Sequence, residues 1–224
     1  MLDIPLDKQD DYSPKRFVER VPGRLLDDPP PGDLDPTVPL VDGDHILNPD
    51  AFERLKGMSL RRAAVLVPVV ARDEGATVIL TQRPDHMPNH PGQIAFPGGK
   101  IEASDEGPAH AALREAEEEI GLDPSLVKKL GYLDLYMTGT GFRIVPLVGL
   151  VRPDYRLTLD PSEVTDAFEV PLSFLMSVAN HKHGSRVWEG KSRHFYIMQY
   201  EERCIWGATA GILRNMYNRL YKPD

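Results

Sequence analysis

Four glutamates crowd into the segment LREAEEEIGL: Glu115, Glu117, Glu118 and Glu119. On an exposed helix each like-charged pair three or four residues apart costs roughly 0.2–0.5 kcal/mol. At a separation of ~6 Å a carboxylate pair costs about 0.7 kcal/mol in water, and several times more in a cleft of lower dielectric. A divalent cation reverses the sign of that interaction. Carboxylate oxygens are hard ligands, suited to Mg²⁺ or Mn²⁺, and such ions retain sites for water and substrate phosphates. A solvated acidic flank is the competing explanation, and for a glutamate-rich helix in isolation it is the commoner one.

The element carrying these residues decides which of them can converge. A helix from about Gly107 to Ile120, stopped by Gly121, fits the pattern. With Ala116 set to zero and about 100° per residue, Ala109, Ala112, Leu113 and Ile120 fall within about 60° and form the buried face. Glu115, Glu118 and Glu119 lie between about −60° and −160°, one stripe beside it, whereas Glu117 lies near +100°. Three carboxylates therefore converge and one does not. The segment AFPGGK precedes the helix, and Gly98 and Gly99 let backbone approach a ligand closely. Arg114 is placed to orient the acidic group through charge-assisted hydrogen bonds.

The spacing of Gly99, Arg114, Glu115, Glu118, Glu119, Gly121 and Leu122 resembles the Nudix box, G-x5-E-x7-R-E-U-x-E-E-x-G-U, with U a bulky apolar residue. Ala116 is small for its U position. Six residues rather than five separate Gly99 from Glu106, so Asp105 fits the spacing from Gly99 and Glu106 the spacing to Arg114. Either stands for the usual glutamate. Upstream, Leu80-Thr81-x-Arg83, His90-x-Gly92-Gln93 and Phe96-Pro97-Gly98-Gly99 resemble the signature of the coenzyme A pyrophosphatase subfamily.

The resemblance implies a Nudix-type α/β/α sandwich and hydrolysis of a pyrophosphate. It implies that Glu115, Glu118 and Glu119 bind Mg²⁺ or Mn²⁺, with the Gly99 carbonyl as a further ligand and Arg114 beside them. Glu163, in DPSEVTDAFEVPL, is the choice for general base, against the alternative of an exposed loop carboxylate. For coenzyme A the products are 3′,5′-ADP and 4′-phosphopantetheine. Arg83 and His90 are candidates for the substrate phosphates, with Arg143, Arg193 and His194 further candidates. Phe96, Tyr196 and Trp206 are candidates to stack an adenine, each weighed against core packing. Another nucleoside diphosphate derivative such as ADP-ribose or a dinucleotide is the nearest alternative substrate. A non-catalytic nucleotide sensor would be expected to have lost a metal carboxylate, and none is lost here.

The remaining elements must hold this segment in place. RAAVLVPVVAR and ATVILTQR read as a hairpin around the turn signal ARDEGA. KKLGYLDLYMT and FRIVPLVGLVR read as a strand pair, and SRVWEG and RHFYIMQY as another hairpin. PLSFLMSVAN reads as a short helix, and Ala208 to Leu220 as a longer one with Ile212, Met216 and Leu220 on its core stripe. Strands and helices mix without βαβ alternation, which predicts an α+β fold with a mixed central sheet. Residues 1–45 are rich in Pro, Asp and Gly and read as an extension lying on a domain spanning 46–224. Within that extension Ser13 and Pro14 predict a short helix to about Val21, and just beyond it Asn48 to Leu55 predicts another.

The chain of 224 residues is 41% hydrophobic and carries a net charge of −8, which predicts a packed core and no general affinity for nucleic acid. Cys204 is the single cysteine, so no internal disulfide or zinc knuckle can form. The longest apolar run, Ala63 to Ala71, is far short of the ~20 residues that span a bilayer. With no apolar leader at the N-terminus, a cytoplasmic protein without membrane partners is expected. A homodimer is the base-rate expectation for assembly.

Overall fold

The computed structural model describes residues 10–31, 33, 41–49, 60–86, 90–188 and 190–223. Its elements in chain order are α1 (Pro14–Arg20), β1 (Asp42–Gly43), β2 (Arg61–Val70), β3 (Thr77–Gln82), β4 (Ile94–Ala95), β5 (Gly98–Lys100) and α2 (Pro108–Ile120). There follow β6 (Val127–Tyr132), β7 (Tyr136–Met137), β8 (Phe142–Val151), β9 (Asp166–Pro171), α3 (Leu172–Leu175), β10 (Lys182–Trp188), β11 (Lys191–Tyr200), β12 (Arg203–Trp206) and α4 (Ala208–Leu220). The fold is α+β, a mixed sheet between helical layers. The helix expected over Asn48 to Leu55 lies largely outside the described residues.

The sheet is centred on β2 and β8, which run parallel in register from Arg61↔Phe142 to Val70↔Val151. Both carry near-continuous apolar sequence, as strands buried on two faces require. One edge of β2 is shared. β5 pairs with Ala63, Ala64 and Val65, and β3 with Val69 and Val70. Pro68 falls between the two pairings, where its missing N–H forfeits no ladder bond. The expected first hairpin is therefore real but short. Past the turn, β3 diverges to pair with β9 over six residues, and the opening admits β5.

The strand expected over KKLGYLDLYMT is divided. β6 pairs with β8 as far as Tyr132↔Leu147, and β7 resumes at Tyr136↔Ile144. Pro146 sits opposite the break. Its carbonyl accepts from the Leu133 N–H, but it has no N–H to return.

The two faces of the sheet build two cores. On one, Ala111, Ala112, Ala116 and Ile120 of α2 pack on Ala64, Leu66, Ile79, Val145 and Leu147. Alanines at the contact let the helix approach the sheet closely, which accounts for Ala116 at a position where bulk is usual. On the other face, Ile212, Leu213, Met216 and Leu220 of α4 pack with Phe17, Leu172, Leu175, Val67 and Val148. A second antiparallel sheet, β10-β11-β12, adds Met198 and Ile205 to this core. Its third strand was not expected from the sequence.

The N-terminal segment lies against both layers. Phe17 is fully buried. Ser13 caps α1 by accepting from the Arg16 N–H. Tyr12 stacks on Tyr221 at 5.4 Å, Leu26 bridges to Tyr132, and β1 pairs with β7.

Candidate active site

Helix α2 begins at Pro108, whose absent N–H costs nothing at a first turn, and ends at Gly121 with φ 66°. Beyond it, Thr158 N–H bonds to Ile120 O and Asp160 N–H to Glu119 O, both at 2.9 Å. These bonds hold the 158–163 loop against the C-terminal turn. A Cβ on Gly121 would lie 2.9 Å from the Thr158 nitrogen, so glycine is required by space as well as by φ.

Within the stripe, exposure of the glutamates follows their angle from the buried face. Glu119, nearest the core, is 5% exposed. Next come the side chains of Glu115, at 16%, and Glu118, at 60%. Glu117 is exposed. Glu119 accepts from the Gly98 N–H at 3.2 Å. Glu115 lies over Gly99, where an added Cβ would meet its carboxylate at 2.5 Å. The glycine pair on β5 thus forms a floor on which two carboxylates rest.

Burial pushes the Glu119 carboxyl up to about 8. Glu115 and Glu163 add to the rise, and the Gly98 N–H and Arg83 oppose it. Burial also raises Glu115, with Glu118 and Glu163 contributing and Arg114 opposing. The charge of Glu163, on a loop more than forty residues downstream, is felt at both carboxylates. These are acidic groups short of compensating positive charge.

Arg114 faces the acidic group as a fork. It donates to Glu115 at 3.0 Å and Glu118 at 2.8 Å from one nitrogen. Its other two nitrogens donate to Asp105 at 3.0 and 3.1 Å. The Asp105 side chain is fully buried and also accepts from Glu102 N–H at 2.7 Å. The Arg114 guanidinium is the main reason its carboxyl is held far below the usual range. Glu106 is exposed. Of the two acids whose spacing competed, Asp105 is the partner of Arg114.

Arg83 and His90 enter from the loop between β3 and β4. The Arg83 charge is felt at both Glu119 and His90. His90, with φ 55°, is lowered mainly by burial, then by Arg83, against a hydrogen bond with Gln93. The contribution of Gln93 to this loop went unassigned in the sequence, although it stands within the quoted motif. Two other candidates are not brought to the carboxylates. Phe96 is 4% exposed and part of the α4-side core, which favours packing over stacking. Arg193 lies on β11 opposite Arg186 in the second sheet, and among the described residues no hydrogen bond or ion pair joins it to the carboxylates.

Glu115, Glu118, Glu119 and the Gly99 carbonyl are oxygen donors of the kind Mg²⁺ and Mn²⁺ take, and the raised Glu115 and Glu119 fit a cation. Among the described residues no three acidic or histidine side chains stand close enough to form a ready cage. Glu118 is turned to Arg114, and joining the others requires a rotamer change at an exposed side chain.

Residues 60–188 match the family model described as NUDIX domain. The chain belongs to the Nudix family. It is 37% identical to "Uncharacterized Nudix hydrolase NudL" of Enterobacter sp. (strain 638) over 71% of this chain and 82% of the relative. It is 40% identical to the protein of the same description in Yersinia pestis (strain Pestoides F), over 70% and 78%. Among solved structures, this Nudix chain is similar to a C. elegans Ap4A hydrolase (TM-score 0.43, 18% identity, 53% of this chain and 86% of that one). It is also similar to the NUDIX domain of Shewanella oneidensis NrtR complexed with ADP ribose (TM-score 0.41, 22% identity, 58% and 82%). No helix among the described residues is long and apolar enough to cross a membrane.

Proposed function

We propose that this Nudix protein is a metal-dependent pyrophosphohydrolase that cleaves coenzyme A or its acyl derivatives to 3′,5′-ADP and 4′-phosphopantetheine or its acyl form. The observation that carries the hydrolase reading is the pair of carboxylates on the Gly98–Gly99 backbone, buried Glu119 and half-buried Glu115, both of which feel the charge of Glu163. The coenzyme A reading rests on the upstream motif, whose Arg83 and His90 stand on the Glu119 side of the site.

Glu115, Glu118, Glu119 and the Gly99 carbonyl would hold Mg²⁺ or Mn²⁺. Bound there, the ion would supply charge neutralisation for the pyrophosphate oxygens and would lower the pKa of a bound water. Glu163 orients the attacking water and accepts its proton as the new P–O bond forms. The bridging P–O bond breaks, and its oxygen leaves with one product phosphate. Arg83, always charged, faces the incoming phosphates, and His90, lowered by burial, serves as a neutral hydrogen-bonding group at neutral pH. Arg114 touches no substrate in this scheme. It holds the Glu115 and Glu118 carboxylates, and Asp105 holds Arg114.

The test is product analysis of the purified protein with coenzyme A, ADP-ribose and a diadenosine polyphosphate, each with Mg²⁺, Mn²⁺ or EDTA. Metal-dependent release of 3′,5′-ADP from coenzyme A in preference to the other two substrates is the expected result. Cleavage of the others alone would retain the chemistry and reject the substrate. No cleavage of any would favour a nucleotide sensor.

A further inference from the structure

Arg143 is buried without a partner. It stands near the start of β8, is 5% exposed, and its Nε is enclosed with no hydrogen-bond acceptor. Among the described residues, no carboxylate lies within ion-pair distance of it and no ring lies under it.

Its described neighbours in the sheet offer it no counter-ion. In the parallel ladder Arg143 is opposite Arg62. The rungs two and four residues further on, Ala64–Val145 and Leu66–Leu147, lie in the core beneath α2. Side chains alternate along a strand, so both arginines point to that same face. On its other side Arg143 is opposite Met137, a buried thioether that carries no charge. The carboxylate of Asp33 reaches this rung, but Arg62 takes both of its oxygens, at 2.9 and 2.6 Å. The Asp33 carboxylate is thus committed to Arg62, and Arg143 has no bond to it. A guanidinium stays protonated in proteins, so it cannot escape burial by neutralising. Its Nε is sealed without an acceptor, while its terminal nitrogens, which are not sealed, are open to an anion from solvent.

We infer that Arg143 marks a binding position for a small oxyanion, with phosphate the best match to a guanidinium fork. In the sheet, β2 lies between Arg143 on β8 and Gly98 and Gly99 on β5. The inference does not depend on the proposed hydrolase activity.

The experiment is thermal denaturation of the full chain in EDTA at constant ionic strength, with inorganic phosphate titrated against chloride, and AMP as a second probe. The wild type is expected to gain a few degrees (~2–4 °C) in a saturable way. Arg143→Met is expected to lose that response. Without phosphate it should melt at or above the wild-type temperature, because replacing an unpaired buried charge with an apolar group of similar length relieves its cost. Arg143→Lys keeps the charge without the fork, and its half-saturation should rise about tenfold. A response to AMP alone, lost in Arg143→Met, would support the position and assign it to a nucleotide phosphate. Equal responses in wild type and Arg143→Met would overturn the inference, as would no wild-type response to either probe. Failure of Arg143→Met to fold would do the same, since it would show that Arg143 already serves the fold itself.

Discussion

Asp105 and Glu106 are adjacent acids with opposite fates. Asp105 turns inward, receives two bonds from Arg114 and is sealed from water. Glu106 stays at the surface. Asp105→Asn replaces a charge-assisted pair with weaker bonds and frees Arg114 to swing, taking Glu115 and Glu118 with it. We expect kcat to fall by about 10–100-fold with KM changed far less, since Arg114 acts by positioning. Glu106→Gln should leave both constants within about twofold. Steady-state kinetics of the two variants checks this, and equal effects would contradict it. The sequence carried the stripe of Glu115, Glu118 and Glu119 because helical geometry alone assigns the angles. It could not separate Asp105 from Glu106, because a one-residue difference in a loop has no periodicity to be read against.

At the scale of elements, the glycine that ends the acidic helix is set by contacts as well as by turn preference. Gly121 ends α2 in a left-handed conformation and lies against Thr158. Gly121→Ala should destabilise the protein by about 1–3 kcal/mol, from φ strain and the displaced loop. Because that loop continues to Glu163, activity should fall at temperatures where the fold is still intact. Urea denaturation with parallel assays measures both, and a loss of stability without a loss of activity would separate Glu163 from the site. Helices α1, α2 and α4 were legible from caps, punctuation and apolar stripes. The break between β6 and β7 was not, because it depends on Pro146 in a strand that only the fold brings alongside. Phe96 was read in a ligand motif, yet its immediate surroundings are core, a distinction visible only once β4 and α4 are packed together.

Over the whole molecule, stability is tied to how the N-terminal segment is joined to α4 and β7. Asp42 of β1 accepts from the Gly43 N–H at 2.8 Å, and its second oxygen is buried without a partner. Burial is the main cause that lifts its carboxyl from 3.8 to about 6, with Asp134 and Asp44 contributing and the Gly43 N–H and the Asn215 side chain opposing. The native state thus holds this proton more tightly than the unfolded chain. Its contribution to stability is complete below about pH 4 and is lost as pH rises through about 6. Asp42→Asn removes the titration, so its stability relative to wild type should improve by on the order of 2–3 kcal/mol between pH 4 and pH 7. Urea denaturation at the two pH values tests this, and a difference that does not change with pH would contradict it.

The proposed divalent ion among Glu115, Glu118 and Glu119 is tested by comparing Mg²⁺-dependent hydrolysis of coenzyme A by Glu115→Gln, Glu117→Gln, Glu118→Gln and Glu119→Gln. Losses of about 10²-fold or more in kcat are expected for the three stripe variants, with near wild-type turnover for Glu117→Gln. Equal losses in all four, or full activity in Glu119→Gln, would contradict it.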